Sequence, residues 1–191
     1  MTRPVVVGIS GASGAIYGVE CLRMLSEVGI PVHLIVSETG LQTLSIETGL
    51  SINDLRPYAE VVHSNRNLAA AVASGSFRTR GMIVAPCSIK TLSAIANSYS
   101  SNLLVRAGDV MLKERLPLVL MVRETPLHKG HLELMTKAAD LGAIIHPPMP
   151  AFYNRPQTIE EIVRQNVGRA IDQLDIDHDL VRRWQAPSDE V

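Results

Sequence analysis

The segment 8–14, which reads GISGASG, restricts the possible folds more than any other part of this sequence. The run PVVVGI at 4–9, with three consecutive valines, leads into this segment. Such a short apolar, β-branched run is typical of a buried strand. An amphipathic helical pattern follows, with apolar residues at Ile16, Val19, Leu22, Leu25 and Val28. A glycine-rich turn between a strand and a helix directs backbone N–H groups and the positive end of a helix dipole at one point, which predicts a phosphate site.

The spacing of these glycines leaves a second interpretation open. The pattern G-x-x-G-x-x-G differs from the dinucleotide-binding pattern G-x-G-x-x-G, and a single glycine-rich loop is weak evidence for a ligand. A tight turn with nothing bound is the alternative, so other parts of the chain have to distinguish the two.

Length and composition exclude several classes of protein. The 191 residues correspond to one domain, and the net charge of −1 gives no support for nucleic acid or an anionic membrane as a partner. No apolar run reaches the roughly 18 residues that a membrane span needs. The first strand begins too early to leave room for a signal peptide. Cys21 and Cys87 form no disulfide framework, so we expect a cytoplasmic protein.

A second strand is expected at 31–37, and it closes a β-α-β unit with the first strand. Because the carboxyl ends of parallel strands meet at one edge of a sheet, Ser37 should face the same crevice as Ser10. The next helix is predicted over 38–48. Glu47, near its end, is either a solvated residue or a functional carboxylate.

A second junction of the same kind follows the strand predicted over 81–86. It opens into the sequence CSIKT, in which Ser88 is placed to cap a helix and Thr91 lies three residues further on. Two donor-rich junctions at one edge of a parallel sheet are expected to form two walls of a single anion pocket.

Charged residues follow the most apolar of the predicted strands. The run PLVLMV at 117–122 is expected at the centre of the sheet, and it leads directly into Arg123 and Glu124. Charges at the carboxyl end of a buried strand are costly unless they are solvated or used, so both residues are functional candidates. A salt bridge from Glu124 to Arg123 or Lys113 is the structural alternative.

The order of strand and helix patterns predicts an α/β protein with a Rossmann-like three-layer α/β/α fold and a parallel sheet. Further elements are expected as helices from 103, over 127–141 and from Thr158 to about 174, and as a strand at 143–146. The chain has no internal repeat and no linker. Residues 1–184 are therefore expected to form a single domain, and 185–191 a flexible tail.

Three groups of reactive side chains favour structural interpretations. Cys87 has no histidine partner nearby in sequence, so it is expected as a small buried residue rather than a nucleophile. His128 and His131 have no carboxylate to complete a metal site. The acidic stretch at 175–179 is expected to be solvated rather than a magnesium motif. We therefore predict no metal.

Four longer motifs resemble one known family. GISGASGAIYG, APCSIKTLSAI, LLVRAGDVMLKERLPLVLMVRETP and PPMPAFYNRPQT occur in this order, and they are similar to the UbiX-type flavin prenyltransferases from about Val5 to Trp184. The resemblance implies a Rossmann-like fold that binds reduced FMN and joins a dimethylallyl group from dimethylallyl monophosphate to its N5 and C6. It also implies that the product, prenylated FMN, serves a UbiD-type decarboxylase. Such proteins are homo-oligomers, usually dodecamers, with the site between subunits.

The resemblance implies roles for the residues at matching positions. Those that match FMN-binding positions are Ser10, Gly11, Ala12, Ser37, Ser88, Ile89, Lys90, Thr91 and Arg123. Those that match positions gripping the prenyl phosphate are Arg106, Lys113, Tyr153 and Arg169, and Trp184 matches an aromatic residue that lines the site. Those that match polar residues near N5 are Ser13, Glu47 and Glu124, of which Glu124 is the leading acid–base candidate.

Two alternative functions use the same pocket differently. One is an FMN-binding redox or carrier protein, and the other is direct decarboxylation of an aromatic acid. A plain flavin carrier has no need of a second phosphate site, so the residues matched to the prenyl phosphate favour the transferase. Taken one at a time, Arg106, Lys113 and Arg169 would be ordinary surface charges. The sequence leaves open the prenyl donor, the receiving decarboxylase and the roles of Lys90, His128 and His131.

Overall fold

The computed structural model describes residues 2–184, so the tail predicted at 185–191 lies outside the described part of the chain. Its strands are β1 (Val5–Ile9), β2 (Val32–Val36), β3 (Val61–Ser64), β4 (Gly81–Cys87), β5 (Leu118–Val122) and β6 (Ile144–Ile145). Its α-helices are α1 (Ala15–Glu27), α2 (Glu38–Thr48), α3 (Ile52–Leu55), α4 (Ile89–Ala96), α5 (Leu103–Lys113), α6 (Lys129–Asp140) and α7 (Ile159–Asp172). Short 3₁₀ helices lie at Arg56–Tyr58 and Ala71–Ala73.

All six strands are parallel and form one sheet in the order β3-β2-β1-β4-β5-β6. β1, β2, β4 and β5 are buried along their whole length, as expected for parallel strands between two helical layers. Val5 and Val7 pack with α1 and α7, whereas Val6 packs with α4 and α5. The sheet therefore separates two layers of helices, which confirms the predicted three-layer α/β/α fold.

The strand order places a crevice beyond the carboxyl ends of β1 and β4. The chain moves outward from β1 through β2 to β3 and then returns to β4 on the other side of β1. In open parallel sheets the ligand site lies where the strand order reverses in this way. The segments that follow β1, β2 and β4 consequently meet at one edge.

The position of β5 differs from the expectation that the most apolar strand is central. The central pair is β1 and β4, and β5 lies between β4 and the two-residue edge strand β6. β5 is still fully buried because its alternate residues enter both cores, Val119 and Met121 on one side and Leu118 and Leu120 on the other. An apolar run therefore indicates that both faces are covered, not that the strand is in the middle of the sheet.

Hydroxyl side chains cap three helices, which confirms the caps expected at Ser88 and Thr158 and adds one at Ser37. Ser37, Ser88 and Thr158 are the N-caps of α2, α4 and α7, and each side chain accepts a hydrogen bond from a backbone amide of the first turn. At α7 the Glu161 carboxylate accepts the amide hydrogen of Gln157 (2.8 Å). Within residues 2–184, no helix is both long and apolar enough to cross a bilayer.

Candidate functional site

A cleft of about 810 Å³ opens beyond the carboxyl ends of β2, β3 and β4. We call it the serine cleft because Ser37 and Ser88 line it. Ser37 Oγ accepts the amide hydrogen of Gly40 (2.9 Å), and Ser88 Oγ accepts that of Thr91 (3.3 Å). These caps place the N-termini of α2 and α4 at the cleft. Ser37 and Ser88 therefore meet at one cleft, whereas the turn 8–14, predicted to form the other wall beside Ser88, contributes none of the lining residues.

The groups around the serine cleft suit an anionic ligand with many hydrogen-bond acceptors. Hydroxyl groups of Ser37, Ser88 and Thr91 line it, and the positive ends of two helix dipoles face it. Glu38, an acidic residue at its rim, is paired with Arg66. This pairing compensates the carboxylate charge that would otherwise oppose a phosphate. The residues present therefore fit the FMN that the resemblance implies.

The N-terminus of α1 is occupied by a carboxylate of the protein itself. Glu47 Oε2 accepts the amide hydrogens of Gly14 (2.8 Å) and Ala15 (2.9 Å). The prediction that this helix end offers its amides to a phosphate is therefore wrong. Burial acts to raise the pKa of Glu47, but the Ser13 hydroxyl, the two amides and the Arg123 charge together hold it below its ordinary value. The carboxylate is ionised at neutral pH.

Ser10 and Gly11 join the turn after β1 to its neighbours. Ser10 is buried, and its Oγ donates to the carbonyl of Pro86 (2.9 Å) and accepts the amide hydrogen of Ser88 (2.8 Å). A Cβ on Gly11 would collide with the Thr39 side chain at the start of α2. The close approach that this glycine allows is therefore to a protein group. Ser10 and Gly11 therefore position the walls of the serine cleft. In the same turn, the amide of Ala12 donates to the Ser10 carbonyl (3.0 Å).

Arg123 and Glu124 lie at the carboxyl end of β5, as predicted, but in different surroundings. Arg123 is half-buried, and its amide donates to the Cys87 carbonyl (3.1 Å). Its charge acts on Glu47, which places it beside the N-terminus of α1. Glu124 is exposed, and its Oε1 accepts the Thr125 amide hydrogen (3.0 Å). Among residues 2–184, no ion pair joins Glu124 to a cation, so the salt-bridge alternative has no support.

Three of the residues matched to the prenyl phosphate site lie together. Tyr153 and Trp184 make an edge-to-face contact with ring centroids 5.5 Å apart. Tyr153 and Arg169 border a cavity of about 190 Å³ that also contains His146, and we call it the Tyr153 cavity. Burial lowers the pKa of His146 below its ordinary value of 6.5, so its imidazole is neutral at pH 7. Arg169 Nη1 donates to Asp172 Oδ2 (2.5 Å).

The other two cations of this predicted set lie elsewhere in the protomer. Arg106 donates from Nε to the Ala73 carbonyl (3.2 Å) and from Nη1 to Asp109 Oδ2 (2.9 Å), and Lys113 pairs with Glu114. Both belong to α5, which covers one face of the sheet, whereas α7 with its Arg169 covers the other. One protomer therefore does not bring the whole set together, because the sheet lies between its two halves.

Of the remaining candidates, Cys87 is buried, as its structural interpretation predicts. Burial raises the pKa of the Cys87 thiol to about 12, so it is not an activated nucleophile. His128 and His131 stack with ring centroids 3.6 Å apart. Within the described residues, no three metal-ligating side chains cluster. Ile89, the first residue of α4, packs against the core, and Lys90 is exposed at the serine cleft.

Sequence reasoning missed several residues of the serine cleft, namely Asn65, Arg66, Tyr99 and Asn102. Asn65 also fixes the start of α5, because its main-chain and side-chain oxygens accept the amide hydrogens of Leu103 (2.8 Å) and Leu104 (3.0 Å). Asn65 and Arg66 directly follow β3. The rule that selected Ser37, namely its position just beyond a parallel strand, would have selected them as well.

This fold, with a cleft that suits a flavin phosphate, defines a flavoprotein, and the Flavoprotein family matches residues 1–170. Flavin prenyltransferase UbiX of Thauera aromatica is 56% identical over 180 residues, which cover 94% of this chain and 93% of that protein. The chain belongs to this family of UbiX-type flavin prenyltransferases.

Two solved structures extend the comparison to three dimensions. The crystal structure of AnUbiX in complex with FMN and dimethylallyl pyrophosphate is 43% identical, has a TM-score of 0.95 and covers 97% of this chain and 99% of that one. A dodecameric FMN-dependent UbiX-like decarboxylase from Escherichia coli O157:H7 is 44% identical, has a TM-score of 0.92 and covers 96% of this chain and 100% of that one.

Proposed function

We propose that this enzyme joins a dimethylallyl group from dimethylallyl monophosphate to N5 and C6 of reduced FMN. The observation that carries the proposal is the presence of two separate places for a phosphate, the serine cleft and the Tyr153 cavity. A carrier that only stores flavin needs one such place. Both alternatives, a flavin carrier and a direct decarboxylase, are disfavoured by the prenyltransferase relatives as well.

The residues of the serine cleft bind and orient the flavin in this proposal. Ser37, Ser88 and Thr91, with the amides at the N-termini of α2 and α4, hold its phosphate. When bound, reduced FMN supplies the two nucleophilic positions. The Ser13 hydroxyl, the α1 amides and the Arg123 charge keep the Glu47 carboxyl group ionised, so this group is a fixed negative charge rather than a free base.

Glu124 is the residue proposed to move protons. It is exposed at the sheet edge and forms no ion pair among the described residues, so its carboxylate is available to accept a proton. Bond formation at N5 releases the N5 proton, whereas ring closure adds one proton to the allyl double bond and removes one from C6. A positioned carboxyl group can take up and return these protons. The aromatic faces of Tyr153 and Trp184 are placed to stabilise the positive charge that develops on the allyl group as its phosphate leaves.

The donor phosphate is proposed to bind in the Tyr153 cavity, where Arg169 and the Tyr153 hydroxyl provide donors. Arg106 and Lys113 lie across the sheet from this cavity, so we infer that a second copy of the chain supplies them. The dodecameric assembly of a UbiX-like relative with a TM-score of 0.92 supports a homo-oligomer, which we propose is also a dodecamer.

We further propose that the product serves a UbiD-type decarboxylase in the cytoplasm. The support for this partner is the resemblance of the four sequence motifs. The support for the compartment is the pair of buried, unpaired cysteines Cys21 and Cys87, which suits a reducing environment.

The proposal is tested by incubating the protein anaerobically with reduced FMN and either dimethylallyl monophosphate or dimethylallyl pyrophosphate. We expect the extracted flavin to gain the mass of one five-carbon prenyl unit with the monophosphate. A gain with the pyrophosphate alone would replace the proposed donor by the compound bound to AnUbiX. An unchanged flavin mass with both donors would contradict the transferase.

A further inference from the structure

The segment 175–184, which we call the C-terminal strap, runs back along α7 after that helix ends. Val181 fits beside Gly168, where a Cβ on the glycine would collide with it. Gln165 Nε2 donates to the Arg182 carbonyl (3.0 Å), and Arg182 Nη1 donates to the Asn154 carbonyl (3.2 Å). These contacts join the strap both to α7 and to the loop that carries Tyr153.

Asp172, the last residue of α7, is the point where the strap is most strongly attached. Its side chain is only 13% exposed. Arg183 donates to it from both terminal nitrogens, Nη1 to Oδ2 (2.6 Å) and Nη2 to Oδ1 (2.8 Å). Such a two-pronged contact between a guanidinium and a carboxylate fixes direction as well as distance. It therefore orients the residue that follows Arg183, which is Trp184.

His178 adds a second attachment from inside the strap. Its side chain is fully buried, with Nε2 3.1 Å from Asp172 Oδ1 and 3.2 Å from the Gly168 carbonyl. Nδ1 accepts the amide hydrogen of Leu180 (3.2 Å), so the ring proton is on Nε2 and points at both acceptors. Burial acts to raise the pKa of Asp172, but Arg183 and the neighbouring cations hold it below its ordinary value. The carboxylate is therefore charged when it holds the strap.

We propose that Asp172 is a positioning residue that, through Arg183 and His178, holds Trp184 against Tyr153 at the prenyl donor site. The assignment of that site rests on the proposed function. Asp172 also accepts from Arg169, a border of the same cavity. One carboxylate at the end of α7 thus sets both the cation and the aromatic wall of the Tyr153 cavity.

The first experiment uses Trp184 as its own reporter, because it is the single tryptophan of the chain. Steady-state fluorescence anisotropy is measured on full-length, flavin-free protein. Both variants weaken the contact between Arg183 and Asp172. Arg183→Gln changes its partly exposed partner in the strap, and Asp172→Asn changes its partner at the end of α7. Glu27→Gln is the matched control, since it breaks a carboxylate–arginine pair between α1 and Arg164 of α7 in which no strap residue takes part.

We expect the anisotropy to fall by about half in Arg183→Gln and Asp172→Asn, because an undocked tryptophan reorients within nanoseconds. Glu27→Gln should match the wild type. Arg183→Lys keeps a positive charge beside Asp172 but cannot make the two-pronged contact, so it should restore only part of the signal. Wild-type anisotropy in Arg183→Gln would overturn the proposal. Because Arg183 is partly exposed, this variant tests the proposal even if Asp172→Asn fails to fold.

The second readout separates positioning from general damage. In Arg183→Gln we expect kcat/KM for the prenyl donor to fall about tenfold, the usual effect of losing a charged hydrogen bond, while KM for reduced FMN stays unchanged. Equal losses for both substrates would indicate a structural defect and contradict positioning. If the wild type makes no prenylated flavin while the anisotropy still falls, the proposed function fails and the attachment of Trp184 stands.

Discussion

The serine cleft and the Tyr153 cavity are built in different ways. The serine cleft consists of strand ends and helix N-termini whose caps are local, so one protomer forms its walls. The Tyr153 cavity is lined by a loop and by α7, and the C-terminal strap contacts that loop at Tyr153 and Asn154. The α5 cations lie across the sheet from it. Backbone-built sites are rigid from the start, whereas sites made of long side chains on loops need further contacts to fix them.

The largest effect is expected at Glu124, the residue proposed to move protons when the two substrates react. Glu124→Gln keeps the shape of the side chain and removes the base, so turnover should slow by about 10²–10⁴-fold. FMN affinity should stay unchanged, since the serine cleft is untouched. Single-turnover formation of prenylated flavin provides the measurement. Unchanged turnover would show that Glu124 is only structural.

A charge placed in the serine cleft tests whether it holds the flavin phosphate. In Ser37→Asp the helix cap is kept, because aspartate is a good N-cap, but a like charge faces the phosphate. Such a juxtaposition costs several kcal/mol, so FMN binding should weaken by about 10²-fold or more. Ser37→Asn, a neutral cap of the same size, is the matched control and should retain most of the affinity in a flavin fluorescence titration. Full flavin content in the purified aspartate variant would contradict the assignment.

Mixed assemblies test whether two copies of the chain complete the Tyr153 cavity. Arg106→Ala and Arg169→Ala should each reduce prenylation at least about tenfold, because each removes a phosphate contact. If one site takes Arg106 and Arg169 from different copies, random mixing leaves about a quarter of the sites intact. Co-expressed variants should therefore recover about a quarter of wild-type activity. No recovery, or a monomeric mass in light scattering, would contradict a shared site.

The smallest effect is expected at the N-terminus of α1, where Glu47 caps the helix. Glu47→Gln should lower the free energy of unfolding by about 1 kcal/mol at pH 7, since an exposed carboxylate at a helix end contributes no more than that. Because the folded-state pKa lies below the ordinary value of 4.5, the contribution is present above that pH and is lost as pH falls through the folded pKa. Thermal unfolding of both proteins should therefore differ at pH 7 and converge in acid. A difference that persists in acid would exclude a charge effect.

Predictions from the sequence succeeded where the cause lies within a few residues. The caps Ser88 and Thr158 each bond to an amide three positions along the chain, as Ser37 also does, and the residue type alone indicates such a bond. The boundaries of α2 agree with the prediction for the same reason. Glu47, in contrast, bonds to amides 33 and 32 positions away, and nothing in the local pattern around either segment indicates that contact.

Four features could be predicted from the residues alone: the α/β class, the parallel strands, the meeting of Ser37 and Ser88 at one sheet edge, and a family resemblance carried by four motifs. Each depends on apolar periodicity or residue type, which are local properties. Only the tertiary structure decided that β5 is second from the edge, that Ser10 bridges to Pro86 and Ser88, and that α5 and α7 lie on opposite faces of the sheet. These arrangements follow from which elements pack together, and an apolar run is compatible with several partners until the chain has folded.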